Sequence, residues 1–141
     1  MRYLLHKIKK VIIADCDLRK TSVHKNFKIS NLICLSEVLI GKEKLEEVIQ
    51  NSNENLNILT SLKIPPNPPE MPLWSVMMKL IEKLKEKYDI VILDSAPLQA
   101  ATDAQMLSTK AEGTILVIRA QITNKESVIE AKNFWLRHEL I

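Results

Sequence analysis

The chain has 141 residues, of which 46% are hydrophobic and 26% charged, and its net charge is +3. This balance predicts a folded domain and argues against a disordered chain, which would have too little apolar surface to form a core. No apolar run approaches the roughly 20 residues of a membrane-spanning helix, and the basic first residues do not resemble a secretory signal. Cys16 and Cys34 have no ligand-like spacing, which argues against zinc and for two reduced thiols.

Glycine is scarce in this sequence. Gly41 and Gly113 are the two glycines present, where average usage would supply about ten. A phosphate-binding loop of the form GxxxxGK[ST] needs two closely spaced glycines, and a GxGxxG turn needs three. Because the 141 residues contain neither motif, any nucleotide site within them would act without the usual phosphate cradle.

Charge is distributed unevenly along the chain. Residues 1–28 contain eight basic and two acidic residues, whereas residues 29–141 contain twelve basic and fifteen acidic ones. The basic segment is either an ordinary solvated face or a surface for an anion or an acidic partner. Nucleic acid is disfavoured as a partner, because the few aromatic residues are not interleaved with the basic ones.

The elements are predicted from hydrophobic periodicity. The segment Tyr3–Ile8 is typical of the end of a helix. Three short apolar runs, Val11–Ala14, Ile90–Leu93 and Thr114–Ile118, are typical of parallel strands buried on both faces. The alternating segment Leu56–Thr60 predicts a weaker strand, nearer an edge of the sheet.

Helical spacing of apolar residues predicts four further segments, two short and two long. They are Leu35–Ile40, Leu45–Ile49, Trp74–Tyr88 and a last helix over Ser127–Leu136, with Thr123 or Asn124 as its N-cap. The segment Ile64–Pro72 holds five of the six prolines, which predicts an extended loop.

Strands that alternate with helices predict an α/β fold, with a parallel sheet flanked by helices. Such a fold rarely begins with half a helix, so a chain that starts at the end of a helix is expected to lack the beginning of the domain. We therefore expect residues 1–141 to form a single, partial domain.

Aspartates follow two of the predicted strands. Asp15 follows the first, and Asp94 follows Ile90–Leu93. Ligands of parallel α/β sheets bind beyond the carboxyl ends of the strands. Asp17 and Arg19 come at alternate positions after Asp15, so a chain that stayed extended would place all three on one side.

Grouped carboxylates suit Mg²⁺, and one of them could accept a proton from an attacking hydroxyl. The alternative is that each aspartate only caps a helix or forms a turn. Cys16, between two aspartates, is expected to be a packing residue and not a nucleophile, since adjacent carboxylates raise a thiol pKa.

At these residues the sequence resembles bacterial tyrosine kinases of the CpsD/CapB type. The segment VIIADCDLR is similar to the Walker A-prime motif of that family, and VILDSAP to its Walker B motif. The segments LSEVLIGK, IPPNPPE, TDAQMLSTK and GTILVIR also resemble the family and stand in the same order along the chain, and the resemblance covers roughly residues 5–135.

The resemblance implies a P-loop NTPase-like fold and autophosphorylation on tyrosine with Mg-ATP. It makes Asp15, Asp17 and Arg19 the candidate catalytic residues, with Asp15 as the base. It places Asp15, Asp17 and Asp94 around Mg²⁺, and assigns Arg19, Asp94 and Arg119 to nucleotide binding.

The family also implies a regulatory role in capsule or exopolysaccharide synthesis. It implies a membrane polysaccharide copolymerase as the activating partner, self-association, and a cytoplasmic location reached through that partner at the inner membrane face. Two alternatives stand beside the kinase: a non-catalytic kinase-like interaction module or relic, and a partition or cell-division ATPase. Because the GKS/T loop is absent from the sequence, we expect the chain alone to be inactive.

Overall fold

The computed structural model describes residues 10–62, 73–97 and 102–137. It contains two compact units, Met1–Asp94 and Ser95–Ile141. The predictions for Tyr3–Ile8 and for the proline-rich segment Ile64–Pro72 lie outside the described residues. The single-domain interpretation stays a prediction.

The first unit is built on a four-stranded sheet in which three strands are parallel. The strands are β1 (Val11–Asp15), β2 (Gln50–Asn53), β3 (Leu56–Leu59) and β4 (Ile90–Asp94), in the order β2-β3-β1-β4. Both β3 and β4 run parallel to β1, whereas β2 is antiparallel to β3. The predicted parallel α/β sheet is thus confirmed, with one antiparallel strand added.

Strand β2 was not predicted, because its polar sequence Gln50–Asn53 has no apolar pattern. It covers the outer side of β3, so the prediction that Leu56–Thr60 lies nearer an edge is wrong. Among the described residues, the sheet ends at β2 on one side and at β4 on the other, where β4 pairs with β1 on its inner side.

Helices of the first unit surround the sheet and complete its core. They are α1 (Val23–Phe27), α2 (Leu35–Leu39), α3 (Leu45–Val48) and α4 (Leu73–Lys87). In α4, the predicted amphipathic helix, Met77, Leu80, Ile81 and Leu84 are buried at three- and four-residue steps. They join a core that includes Ile12, Ala14, Leu35, Val48, Ile58 and Leu59.

The second unit contains two described helices, α5 (Thr102–Ser108) and α6 (Lys125–Arg137). The Ser127 backbone N–H donates to the Asn124 side chain at 2.8 Å. This capping bond confirms Asn124, one of the two predicted N-caps, as the residue that begins the last helix.

The third predicted strand, Thr114–Ile118, is wrong. Residues 113–119 form neither helix nor strand, and Ile115 is 90% exposed. The physical reason is that a strand needs a neighbour for its backbone hydrogen bonds, and the described residues of the second unit contain no other strand. An apolar, β-branched run is therefore not sufficient for a strand, and the polar strand β2 shows that it is not necessary either.

In the part of the chain that the structure describes, no helix combines the length and the apolar character needed to cross a bilayer.

Candidate active site at the carboxyl ends of two strands

The carboxyl ends of β1 and β4 meet at one edge of the sheet. The parallel register places Asp15 opposite Asp94, and neighbouring strands lie about 4.8 Å apart. Just beyond them, the Cys16 backbone N–H donates to the Asp94 carbonyl at 2.7 Å. Two aspartates that are 79 residues apart in sequence are therefore brought side by side, as the two strand-then-aspartate patterns predicted.

Asp15 is fully buried, and its side chain holds the loop that follows β1. One carboxylate oxygen, Oδ1, accepts the Asp17 backbone N–H at 3.2 Å. The other, Oδ2, accepts the N–H groups of Ser22 at 3.2 Å and Val23 at 3.3 Å, where α1 begins. Asp15 thus stabilises both the start of loop 16–22 and its junction with the helix, a capping role in this conformation.

Burial raises the pKa of Asp15 above its ordinary value, against the opposing effect of these hydrogen bonds. The buried Ser61 hydroxyl, just beyond β3, also acts to lower this pKa, although it makes no bond of ordinary hydrogen-bond geometry. Sequence reasoning missed Ser61. The signal available was its place just beyond a strand next to β1, at the same carboxyl edge.

Asp17 forms a tight turn. Its Oδ1 accepts the backbone N–H groups of Arg19 at 3.1 Å and Lys20 at 2.9 Å. Side-chain to backbone bonds of this type reverse the chain direction. The chain bends at residues 18–20, so the extended course that would have placed Asp15, Asp17 and Arg19 on one side is not continued to Arg19.

Asp94 has a different environment from Asp15. It is exposed, and its side chain makes no hydrogen bond that the described residues reveal. Although the residue is exposed, the atoms packed around its carboxylate are the largest cause that raises its pKa, and the negative charges of Asp15 and Asp17 raise it further. Asp15 and Asp17 thus lie close enough for their charges to act on the Asp94 carboxylate.

Mg²⁺ fits part of this arrangement. Within residues 10–62, 73–97 and 102–137, no three His, Cys, Asp or Glu side chains form a group that could hold a metal ion. Mg²⁺ usually takes only one or two carboxylates, and fills its other positions with water and phosphate oxygens. Asp94 and the second oxygen of Asp17 suit it, since a cation would relieve their repulsion, whereas Asp15 is occupied by backbone amides.

Cys16 is buried between the two strand ends. Burial, followed by the charges of Asp15 and Asp94, raises the pKa of its thiol to about 12. A thiol with that pKa is protonated at neutral pH and unreactive. The burial of Cys16 confirms the predicted packing role, and the raised pKa agrees with the expectation that it is not a nucleophile.

The two arginines that are predicted to bind nucleotide lie in different units. Arg19 is exposed in the loop after β1. Arg119 is exposed in the second unit, where its backbone N–H donates to Thr123 Oγ1 at 3.0 Å and its carbonyl accepts the N–H groups of Ile122 and Thr123. The backbone of Arg119 thus helps to close a turn at residues 119–123. The nucleotide-binding roles of both arginines stay predictions.

Curated relatives match most of the chain, whereas no protein-family profile matches it. It is 43% identical over 125 residues to tyrosine-protein kinase YwqD of Bacillus subtilis. It is 36% identical over 124 residues to the putative tyrosine-protein kinase CapB of Staphylococcus aureus. The alignments cover 88% and 87% of this chain, but 53% and 54% of the relatives. The chain therefore spans about half the length of these two relatives.

Solved structures match the fold over almost the whole chain. The chimerical protein CapA2B2 superimposes with a TM-score of 0.83 at 30% identity, covering 99% of this chain and 62% of that one. The kinase domain of the Escherichia coli tyrosine kinase ETK gives 0.82 at 32% identity, covering 94% and 52%.

A plasmid partition protein from Borrelia burgdorferi gives a TM-score of 0.73 at 20% identity, covering 99% of this chain and 66% of that one, which shows a shared fold alone. The neighbours confirm the P-loop NTPase-like α/β fold, and sequence identity favours the kinases over the partition proteins. By sequence and by fold, the chain belongs to the family of bacterial tyrosine kinases.

Proposed function

We propose that this chain is part of an ATP-dependent protein-tyrosine kinase that autophosphorylates on tyrosine. The observation that carries the proposal is the pairing of Asp15 with Asp94 at the carboxyl edge of the sheet, where the charges of Asp15 and Asp17 act on the Asp94 carboxylate. Kinases of this group need metal-held phosphates and little covalent chemistry from the protein. The kinase names of the relatives support the same interpretation.

The site residues divide the work according to their surroundings. Asp94 and Asp17 would hold Mg²⁺, and bound Mg-ATP would supply the phosphoryl group. Asp15 positions loop 16–22 through the three hydrogen bonds that its carboxylate accepts from backbone N–H groups. Its role as the base for a tyrosine hydroxyl stays a prediction, since it requires the loop to expose the carboxylate. Arg19 is assigned to the phosphates by family resemblance.

Tight ATP binding needs a phosphate loop as well as these carboxylates. The loop amides and lysine carry most of the triphosphate charge in P-loop enzymes, and the 141 residues contain no GKS/T segment. The loss of contacts worth a few kcal/mol weakens binding by about two or more powers of ten. We therefore expect the 141-residue chain alone neither to bind Mg-ATP tightly nor to phosphorylate tyrosine.

Calorimetric titration with Mg-ATP tests this proposal in two steps. The chain alone should bind more weakly than about millimolar, and a family-type GKS/T segment, supplied covalently or as a separate chain, should restore binding. The restored affinity should fall in Asp94→Asn and not in Glu82→Gln, which removes an exposed charge on α4. Restoration that is insensitive to Asp94, or no restoration in a folded chain, would favour the non-catalytic interaction module.

We propose a role in capsule or exopolysaccharide synthesis, with a membrane polysaccharide copolymerase as partner and a cytoplasmic location beside it. The support is a relative described as lying in a cps region, the name CapB, and the likeness to the CapA2B2 chimera. Co-purification with a membrane polysaccharide copolymerase from the same cell would test the partner, with the Asp94→Asn chain as a control in which a proposed Mg²⁺ ligand is removed.

We also propose self-association through the edge strand β4. Its residues Ile90 and Ile92 are exposed, 38% and 47%, on the strand that ends the sheet order. An apolar edge strand is a template for pairing with another chain. Light scattering after size exclusion should show dimers or larger species, and a Lys at position 92 (Ile92→Lys) should return the chain to a monomer. A cooperatively melting monomer of the parent chain would contradict the proposal.

A further inference from the structure

One segment of the first unit combines positive charge with a complete lack of acidic residues. Residues 18–36 contain four basic side chains, those of Arg19, Lys20, Lys25 and Lys28, and no Asp or Glu. All four are exposed. The kinase site uses at most Arg19 of this set, so the remaining charges have no assigned role.

The same segment presents two large apolar side chains to solvent. Leu32 is 78% exposed and Ile33 is 49% exposed, in the connection between α1 and α2. They lie within five residues of Lys28 in sequence, while the flanking Cys34 and Leu35 are fully buried. Exposed apolar pairs beside basic residues are the composition of surfaces that meet the headgroup region of a membrane.

Hydrogen bonds fix both ends of the connection between α1 and α2, and the exposed Leu32 and Ile33 lie between them. Lys28 closes α1 in a left-handed conformation, with φ of 54°. The Ser30 carbonyl accepts the Gln50 side-chain amide at 2.6 Å and the Thr60 hydroxyl at 3.4 Å. On the far side, the Leu35 backbone N–H donates to the Thr60 carbonyl at 2.8 Å. Both ends of loop 28–34 are thus tied to the sheet region, with Leu32 and Ile33 left outside.

We propose that loop 28–34 docks directly on an anionic lipid bilayer. Leu32 and Ile33 enter the boundary between headgroups and acyl chains, and Lys25 and Lys28 contact the lipid phosphates. Charge complementarity selects this occupant: the segment has four cations and no anion, and each lysine near an anionic surface strengthens binding about fivefold. The apolar pair selects a bilayer over a soluble anion, because a soluble anion would leave both side chains in water.

Flotation of the full 141-residue chain with vesicles tests the apolar part. Vesicles with a third of phosphatidylglycerol should bind the chain, and pure phosphatidylcholine vesicles should bind it at least tenfold more weakly. The double substitution Leu32→Ser with Ile33→Ser should weaken binding to the anionic vesicles about tenfold or more. The matched control is Ile122→Ser with Ile129→Ser, a pair 65% and 47% exposed in the second unit, which should bind like the parent.

The charges are tested in the same assay. Lys25→Gln with Lys28→Gln should weaken binding to anionic vesicles about 25-fold, whereas Lys79→Gln with Lys83→Gln, which removes two exposed charges of α4, should change it by less than about threefold. Equal binding of the loop variants and their controls would overturn the proposal. Equal binding to the two kinds of vesicle, including no binding to either, would do the same and would point to an acidic protein as the partner.

Insertion of the tip has its own measurement. A Leu32→Cys chain can be labelled selectively with an environment-sensitive dye, because Cys16 and Cys34 are both buried. The dye should shift to shorter wavelength on anionic vesicles, and the same dye at Ile122→Cys should not. An unshifted dye at position 32 on vesicles that bind the chain would contradict insertion.

Discussion

Strands β1 and β4 carry almost the same sequence pattern and meet very different surroundings. Each is four apolar residues followed by aspartate, and they pair in parallel along their whole length. In β1, which has a neighbour on both sides, Ile12 and Asp15 are fully buried. In β4, which ends the sheet order, Ile92 is 47% exposed and Asp94 is exposed. Position in the sheet decides burial, and burial decides which aspartate is structural and which is available to a ligand.

The largest contrast is expected in thiol reactivity just after the two strands. Cys16 follows β1 with a pKa of about 12, so about one part in ten thousand is thiolate at pH 8. Ser95 is the corresponding exposed residue after β4. A Ser95→Cys thiol would also have its pKa raised by neighbouring Asp94, but it is exposed, so it should react with iodoacetamide at least about tenfold faster than buried Cys16.

Mass spectrometry of digested peptides separates the two sites from buried Cys34, and labelling in urea gives the unprotected rate. Fast labelling of Cys16 in the folded chain would mean that the end of β1 opens as readily as the end of β4.

The apolar residues of the two strands should differ next in their contribution to stability. Ile12→Ala removes a fully buried side chain and should lower the free energy of unfolding by about 3 kcal/mol. Ile92→Ala, in the half-exposed edge strand, should cost less than about 1 kcal/mol. Urea unfolding measures both, with Ile12→Val as an intermediate of about 1 kcal/mol. Both variants are compared at a chain concentration at which the protein is monomeric, because a second copy paired with β4 would bury Ile92 and raise its cost. Equal losses in the monomer would contradict the exposed position of Ile92.

The same contrast marks the limit of sequence reasoning. The patterns of Val11–Ala14 and Ile90–Leu93 were enough to predict two strands and an aspartate at the end of each, because apolar runs and strand ends are local features. They did not reveal which strands end the sheet. The polar strand β2 has no apolar signal, and the place of β4 at the other end depends on pairing order, which is not a local feature. For Thr114–Ile118 the local signal was equally strong, and the pairing partner that a strand requires is what is absent from the described residues of its unit.

Within the site, sequence reasoning predicted which carboxylates meet, but not their separate tasks. The spacing of Asp15, Asp17 and Arg19 suggested one face, and the turn that Asp17 forms with two backbone amides broke that alternation. The capping alternative, weighed for each aspartate, holds for Asp15 through the amides of Ser22 and Val23. Such bonds depend on where a loop returns, which residue spacing alone does not specify.

Truncation of the two aspartates should separate the structural carboxylate from the available one. Asp15→Ala leaves three backbone N–H groups near the site without their acceptor, and should lower the free energy of unfolding by about 2–3 kcal/mol. Asp94→Ala removes no described hydrogen bond and should change it by less than about 0.5 kcal/mol. Asp15→Asn, which keeps one acceptor oxygen, should fall between them in urea unfolding. A loss at Asp94 as large as at Asp15 would contradict the division of roles.

The smallest expected effect is the pH dependence that Asp94 adds to stability. Its pKa is raised in the folded chain by burial and by the charges of Asp15 and Asp17. Folding therefore favours the protonated form, and the contribution to stability is complete below the ordinary pKa of about 3.9 and is lost as the pH rises through the raised value. Asp94→Asn should avoid that loss. It should be more stable than the parent by about 0.5 kcal/mol at pH 7, and the difference should shrink as the pH falls toward 4.

Urea unfolding at both pH values measures this difference, with Glu82→Gln as a control that removes an exposed acid away from the site. If Asp94→Asn were less stable at pH 7, the carboxylate would be making a favourable contact in solution, and Asp94 would join Asp15 as a structural residue.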